Sequence, residues 1–465
     1  MQKLKLDAPI YPALPTPSEQ HKSVRKMNEP TVAFYTLGCK LNQYETEAIR
    51  ESFIKRGYRP VDFTESSDVY VINTCTVTTR SAARSRKLIR RARRRSPGSR
   101  VVVVGCYSEV QPGEVSRIEG VDLILGNTAK SRVVDYLENH QGPVCQITDD
   151  ADKDSTFEEF DLESFGEHSR AFVKIQEGCD VFCSYCIIPY ARNPVKSRTE
   201  DSVVQQVLKL ESSGYREVVI AGTHLGLYGK DRAGGGSLVE LLKRICRETA
   251  IERIRLSSLE PMDMSEELLR FIQSEPRICH HLHLPIQSGD DEILTLMRRP
   301  YSVAEVRDIF TRLADALPDI SLGTDVITGF PGETNEHYAN TYRLLESLPL
   351  AYIHVFPFSP RPGTPAADFS GGVHPEEKKR RVKELYNLRL AKLDAFRSRF
   401  FGQALPTLIE CSRDKDSGNL VGITGNYLRI LAEGDDSWMN RLVHMVPKEI
   451  RGEQLYGSIR KEISA

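Results

Sequence analysis

The chain has 465 residues, 40% of them apolar, and a net charge of −1. That suffices for a sizeable core and about three domains at roughly 150 residues each. Ten cysteines scattered over this length argue against a disulfide scaffold. No stretch approaches the roughly 18 uninterrupted apolar residues of a membrane span, and the start lacks the apolar core of a secretion signal. A cytoplasmic protein with no membrane partner is expected.

Residues 1–29 carry four prolines among polar residues, the pattern of a flexible tail. Residues 30–142 alternate strand and helix. Thr31–Thr36, Val69–Ile72, Val101–Val104 and Val121–Leu125 read as strands, and Ala48, Ile49 and Phe53 mark one helix face. Strands interleaved with helices predict a doubly wound parallel sheet. Cys39, Cys75 and Cys106 each follow a strand. The carboxyl ends of such strands share one edge, where ligands bind, so the three thiols should converge. Three cysteines buried separately in βα turns are the plainer alternative.

From Arg80 to Arg100 there are ten Lys or Arg and no acid. A run of this density, including Arg90, Arg91, Arg93, Arg94 and Arg95, points to a phosphate-rich partner. Thr148 to His168 holds nine acids and one Lys, and residues 143–164 read as an acidic linker. Cys145, at its start, is read as structural, as are Cys246, Cys279 and Cys411.

Cys179, Cys183 and Cys186 form a C-x3-C-x2-C run. Three close thiolates can hold three corners of a [4Fe–4S] cluster, leaving one iron open to an exogenous ligand. Structural zinc is the alternative, although it usually takes four ligands in paired C-x2-C units. Six strand signals then alternate with helices: Phe172–Ile175, Val218–Ile220, Ile254–Leu256, His281–Leu284, Ile320–Ile327 and Tyr352–Phe358. Polar residues or glycines follow each one, as they do at the catalytic face of parallel barrels. His281 and His283 share a strand face and could form a metal pair, although core packing is the reading taken. The final stretch, residues 400–465, carries short strand-like runs that suggest a small β-barrel.

The stretch Gly178-Cys179-Asp180-Val181-Phe182-Cys183-Ser184-Tyr185-Cys186-Ile187-Ile188-Pro189-Tyr190 resembles the cluster loop of radical S-adenosylmethionine enzymes, and within them the methylthiotransferases. Thr36-Leu37-Gly38-Cys39, Asn73-Thr74-Cys75 and Val104-Gly105-Cys106-Tyr107 resemble the three cysteine motifs of that family's N-terminal domain. The resemblance implies two [4Fe–4S] clusters: a radical-generating one on Cys179, Cys183 and Cys186, and an auxiliary, sulfur-supplying one on Cys39, Cys75 and Cys106. It further implies S-adenosylmethionine as cofactor, a partial (β/α)6 barrel over residues 165–397, and a C-terminal OB-like RNA-binding TRAM domain. Tyr185 would line the adenine pocket, and Gly222 and Thr223 resemble the motif that holds the methionyl amine. Ser258, Gln287, Asp325 and Arg198 are further candidates for cofactor contacts. One departure is Asn193, where most relatives carry glycine; asparagine tolerates left-handed backbone, so the turn is expected to survive.

Lys40-Leu41-Asn42-Gln43-Tyr44-Glu45 resembles the branch acting on N6-threonylcarbamoyladenosine at tRNA position 37. Branches acting on isopentenyladenosine-37 or a ribosomal-protein aspartate are the alternatives. The resemblance implies an anticodon stem-loop partner whose target base unstacks, and a reducing donor such as a flavodoxin or ferredoxin. Lys378, Lys379, Arg380, Arg381 and Lys383 are expected to add a second basic face. A non-catalytic iron–sulfur RNA-binding redox sensor, or a zinc-dependent RNA-binding protein, would be a different class. The sensor would not need a polar rim after every strand, and the zinc protein would carry zinc and little iron.

Overall fold

A computed structural model describes residues 29–139, 145–147, 157–160, 162, 165–166, 169–232 and 234–462. The expected tail, apart from Glu29, and most of the expected linker lie outside the described residues. The chain divides into two compact units, one formed mainly by residues up to 150 and one by residues from 151 onward.

The first unit is a six-stranded parallel sheet in the order β2-β1-β3-β4-β5-β6. Its strands are β1 (Thr31–Thr36), β2 (Arg59–Val61), β3 (Val69–Thr74), β4 (Arg100–Gly105), β5 (Leu123–Leu125) and β6 (Cys145–Ile147). Every residue of β3 is buried, as expected for a central strand covered on both faces. Helix α1 (Lys40–Lys55) follows β1 and packs Ile49 and Phe53 against one sheet face. Helix α2 (Thr79–Arg95) follows β3 and packs Leu88, Ile89 and Ala92 against the other. The short edge strands β2 and β6 lack the long apolar runs that mark β3 and β4, which is why the sequence pattern passes over them.

The second unit contains six parallel strands in two sheets, β11-β10-β7 and β12-β13-β14. These are β7 (Arg170–Lys174), β10 (Glu217–Ala221), β11 (Arg253–Leu256), β12 (His281–His283), β13 (Ser321–Thr328) and β14 (Tyr352–Pro357). A parallel bridge between Ile254 and Ile278 continues one sheet toward the other. A two-stranded antiparallel pair, β8 (Gln176–Glu177) and β9 (Lys196–Ser197), brackets the cysteine run. Among the acids ahead of β7, Phe160, Leu162 and Phe165 are buried, so that stretch also contributes apolar anchors to this unit.

The C-terminal strands β15 (Leu405–Arg413), β16 (Leu420–Thr424), β17 (Arg429–Ala432), β18 (Leu442–Arg451) and β19 (Gln454–Glu462) close into a barrel in the order β15-β16-β17-β19-β18. This barrel docks on the amino ends of β7, β10 and β11 through a buried charge cluster. Glu217 ion-pairs with Arg255 at 2.7 Å and Arg253 at 2.9 Å. Those arginines also donate to the carbonyls of Ile423, Thr424 and Gly425 at 2.9–3.0 Å. Arg170 pairs with Glu410 at 2.5 Å, and Tyr427 lies beneath the Arg255 guanidinium, 4.7 Å from ring centroid to Cζ. Burial alone would raise the Glu217 carboxyl, but Arg253, Arg255 and Arg170 hold it down at about 2.

A carboxyl depressed in the folded state stabilises the protein fully above its unfolded pKa and loses that contribution as pH falls through the folded value. Glu217→Gln is therefore expected to lower stability by roughly 3 kcal/mol near neutral pH. Denaturant titrations should show the gap between wild type and variant shrinking as pH falls from 5 toward 2.

Candidate functional site

In the first unit the strand register decides the geometry. Thr36 pairs with Asn73, and Thr74 with Gly105, so the segments carrying Cys39, Cys75 and Cys106 leave three adjacent strands at one edge. Asn42, buried on α1, ties them together. Its Nδ2 donates to the Leu37 carbonyl at 2.7 Å and the Thr74 carbonyl at 3.1 Å. Asn73 Nδ2 donates back to the Asn42 carbonyl at 3.0 Å. Cys75 and Cys106 are buried and Cys39 is exposed, so the trio opens outward from the sheet edge. Below it, Lys130 and Glu45 form a wholly buried ion pair.

In the second unit Cys179, Cys183 and Cys186 sit on a loop just beyond β7 and β8. Gly178 has φ +87, and a Cβ there would stand 2.3 Å from the Pro194 carbonyl oxygen, so only glycine lets the loop close against that segment. Asn193 is not left-handed; its bond to Pro194 is cis. The tolerance expected of asparagine at a glycine-like turn is therefore not what this position uses. Ser184 anchors the loop through Oγ to the Leu296 carbonyl at 2.7 Å and N to the Met297 carbonyl at 3.0 Å. Phe182, between two of the cysteines, is exposed and left-handed at φ +48. For a bulky residue this is a strained conformation of the kind that clusters at functional sites.

Burial pushes the Cys179 thiol up, and pushes the Cys186 thiol up to about 12 with help from the neighbouring Cys183. Two side chains approach these sulfurs: Arg299, which the sequence pattern did not reveal, and His224, one of the polar residues expected after the second barrel strand. Arg299 Nη1 donates to Cys183 Sγ at 3.2 Å, while its Nε bonds Tyr301 at 2.8 Å and its Nη2 pairs with Glu260. His224 Nδ1 lies 3.9 Å from Cys179 Sγ, and its Nε2 is 2.8 Å from Asp263. Metal-held thiolates are commonly tuned by such outer partners.

The remaining candidates fall into groups. Thr223 Oγ1 accepts from the Gly178 amide at 3.2 Å, and a Cβ on Gly222 would crowd Leu225 at 2.9 Å and Gln176 at 3.0 Å; both lie beside the cysteine loop. Tyr185 packs with Ile293, Met297 and Phe330, and burial raises its hydroxyl well above the usual range. Arg198 is buried, bonds Ser202 at 2.9 Å and leaves its Nη1 without a partner among the described residues. Ser258 is exposed, whereas its neighbour Ser257 presents a buried hydroxyl with no partner among the described residues, as does Thr328 at the end of β13. Orphaned buried groups at strand carboxyl ends suit a polar ligand. Gln287 is left-handed and its amide donates to the Asp325 carbonyl at 2.9 Å.

Asp325 makes side-chain contacts to the neighbouring strands. It joins His283 and His354, whose ring nitrogens each lie 3.0 Å from its Oδ1. Burial would raise its carboxyl, but the two imidazoles hold it well below the usual range. His283 and His281 are therefore part of a polar cluster, not ordinary core packing.

On α2 the residues Arg80, Arg84, Lys87, Arg90, Arg91 and Arg94 are exposed. Arg93 departs from the expected RNA set. It pairs with Asp122 at 2.5 Å and donates to the carbonyls of Pro97, Ser99 and Gly120, so its guanidinium is consumed by the fold. Arg95 is half-buried. Part of the expected second basic face is spent on ion pairs. On the helix Pro375–Ser398, Lys379 and Arg380 pair with Glu376, Glu377 and Glu384, and Arg381 is buried against Glu333.

Residues 173–345 match the radical SAM superfamily, and residues 31–126 match the uncharacterized protein family UPF0004. The chain is 38% identical to the threonylcarbamoyladenosine tRNA methylthiotransferase MtaB of Bacillus subtilis, over 89% of this chain and 92% of that protein. It is 40% identical to the protein of the same name from Aquifex aeolicus, over 87% and 97%. A tRNA-2-methylthio-N(6)-dimethylallyladenosine synthase of Acetivibrio thermocellus is 29% identical over 94% and 92%. Among solved structures, the radical S-adenosylmethionine methyltransferase TsrM of Kitasatospora setae shares the fold. Its TM-score is 0.56 at 15% identity, covering 73% of this chain and 75% of that one. Among the described residues no helix is long and apolar enough to cross a membrane.

Proposed function

Because the chain belongs to the radical S-adenosylmethionine methylthiotransferases, we propose that it adds a methylthio group to C2 of N6-threonylcarbamoyladenosine at position 37 of tRNA. The likeness to two threonylcarbamoyladenosine tRNA methylthiotransferases over 92% and 97% of their lengths carries this reading.

Cys179, Cys183 and Cys186 would hold one [4Fe–4S] cluster, and Cys39, Cys75 and Cys106 an auxiliary one. Loaded with S-adenosylmethionine, these groups supply radical chemistry and the sulfur. The chain's own residues bind, orient and insulate. The Cys186 thiol, protonated at neutral pH when unligated, must give up its proton as iron binds. Arg299 offers a charge-assisted hydrogen bond to the Cys183 sulfur, and the dyad His224–Asp263 faces Cys179. Tyr185 walls the pocket beside the loop. Ser257 and Arg198 offer unsatisfied donors to a polar cofactor, which supports this reading over a binding protein without one. The six parallel strands fit a partial (β/α)6 barrel, and the five-stranded C-terminal barrel fits an OB-like TRAM module. The exposed cations of α2 fit the phosphates of an anticodon stem-loop, and a flavodoxin or ferredoxin would supply electrons.

The chain should be expressed in a strain that makes threonylcarbamoyladenosine-37 but lacks its own methylthiotransferase for it. Mass spectrometry of digested tRNA is expected to show the 2-methylthio derivative of that nucleoside. Its absence, or methylthiolation of isopentenyladenosine alone, would overturn the assignment.

A further inference from the structure

The inner face of the barrel carries a polar cluster that the proposed roles do not use. On β14, Ile353 is buried on the side covered by the helix Pro375–Ser398, whereas Tyr352 and His354 share the opposite face with Asp325 and His283. The register pairs Gly323 with Tyr352 and Asp325 with His354. A Cβ on Gly323 would stand 1.9 Å from Tyr352 Cζ, so glycine is what lets the tyrosine ring lie across β13. The Tyr352 hydroxyl is then 2.8 Å from His281 Nε2 and 3.1 Å from His283 Nδ1. From His283 the network passes through Asp325 to His354.

The two ends of this network differ. His281 packs at a tilt against Tyr427 of the C-terminal barrel, 4.4 Å between centroids, and is buried. Asp325 and His354 each keep 24% of their side chains exposed. Among the described residues the second ring nitrogen of His354, Nε2, has no hydrogen-bond partner, while Nδ1 is fixed by Asp325. Polar surface of Asp325 and His354 is therefore left open on this face of the sheet. It lies three residues below Thr328 on β13, about 10 Å at the strand rise. The arm of a base seated at the mouth, rather than the base itself, would meet it.

Resting on the proposed substrate, we propose that His354, oriented by Asp325 and supported by His283 and Tyr352, binds the carboxylate-bearing threonyl end of the N6 arm. An imidazolium at His354 would donate Nδ1–H to Asp325 and Nε2–H to the substrate carboxylate, a charge-assisted pair. A dimethylallyl arm is a hydrocarbon. Seated here it would strip water from His354 and Asp325 and return no hydrogen bond, and sites built on such bonds discriminate strongly against analogues lacking them. The same three side chains could instead hold a metal ion, since their ligand atoms lie within 4.8 Å of one another. The existing 3.0 Å contacts to one carboxylate oxygen already satisfy them without one.

The test uses the full cluster-loaded chain and two stem-loop RNAs of identical sequence, bearing threonylcarbamoyladenosine or isopentenyladenosine at position 37. Wild type modifying the first RNA upholds the functional reading; modifying neither removes that reading, independently of His354. His354→Phe is expected to raise KM for the threonylcarbamoyl RNA at least tenfold and to narrow the preference over the isopentenyl RNA. His354→Gln, which can still donate to a carboxylate, should recover part of it. An unchanged KM, or an equal loss with both RNAs in His354→Phe and His354→Gln alike, would overturn the proposal. So would stoichiometric zinc in the wild-type chain that disappears in His354→Phe.

Discussion

Cys39→Ala is expected to yield a protein that still releases 5′-deoxyadenosine from S-adenosylmethionine under reducing conditions yet forms no methylthiolated tRNA. Cys183→Ala is expected to lose both. The split follows from placement. Cys39 lies at the carboxyl edge of β1 in the first compact unit, and Cys183 lies on the loop beyond β7 in the second. Neither substitution cuts a strand or empties a core, because Cys39 is exposed and the Cys183 loop is anchored independently by Ser184. Loss of product should be complete rather than graded, since a methyl group cannot replace a thiolate as a soft ligand to iron. Iron analysis should find roughly half the wild-type metal in each variant if two four-iron clusters are held separately. Equal loss of 5′-deoxyadenosine in both variants would show that the two trios do not divide the chemistry as proposed.

The six cysteines were legible because their signal is local. C-x3-C-x2-C is a spacing, and Cys39, Cys75 and Cys106 each follow an apolar run that reads as a strand. Parallel register then does the rest, since it brings consecutive strand ends to one edge without any further information. Of what surrounds the sulfurs, His224 lay on the polar rim read from the sequence, whereas Arg299 was not legible. Arg299 reaches Cys183 from 116 positions away, and nothing in the stretch around Arg299 marks one arginine of its pair as buried. The Glu217 cluster is hidden for the same reason: Arg170, Arg253 and Arg255 become neighbours only when three strands align at their first residues. His354 sits in an ordinary apolar strand and gains meaning only opposite Asp325. The basic helices went the other way. The acids Glu376, Glu377 and Glu384 stand three or four positions from Lys379, Arg380 and Arg381, which is the spacing of intrahelical ion pairs. That spacing is readable in the sequence and removes Lys379, Arg380 and Arg381 from the second basic face.

Lys87, Arg90, Arg91 and Arg94 form the surface where neutralisation should weaken RNA binding most. All four are exposed on α2, and among the described residues none pairs with a carboxylate. The buried stripe of Ala82, Ser85, Leu88, Ile89 and Ala92 fixes which face points outward, so the four charges cannot rotate inward to find partners. Alanine at all four positions is expected to flatten the dependence of log affinity on log salt by roughly three to four units if each cation meets one phosphate. Binding at low salt should fall far more than binding at high salt, where counterions already compete. Fluorescence anisotropy of a labelled anticodon stem-loop across a salt series measures both. Arg93→Ala separates charge from structure. Its guanidinium is spent on Asp122 and three backbone carbonyls, so its loss should lower thermal stability and leave the salt slope within half a unit of wild type. A slope that survives the fourfold substitution would move the RNA interface off this face of α2, which presents Lys87, Arg90, Arg91 and Arg94.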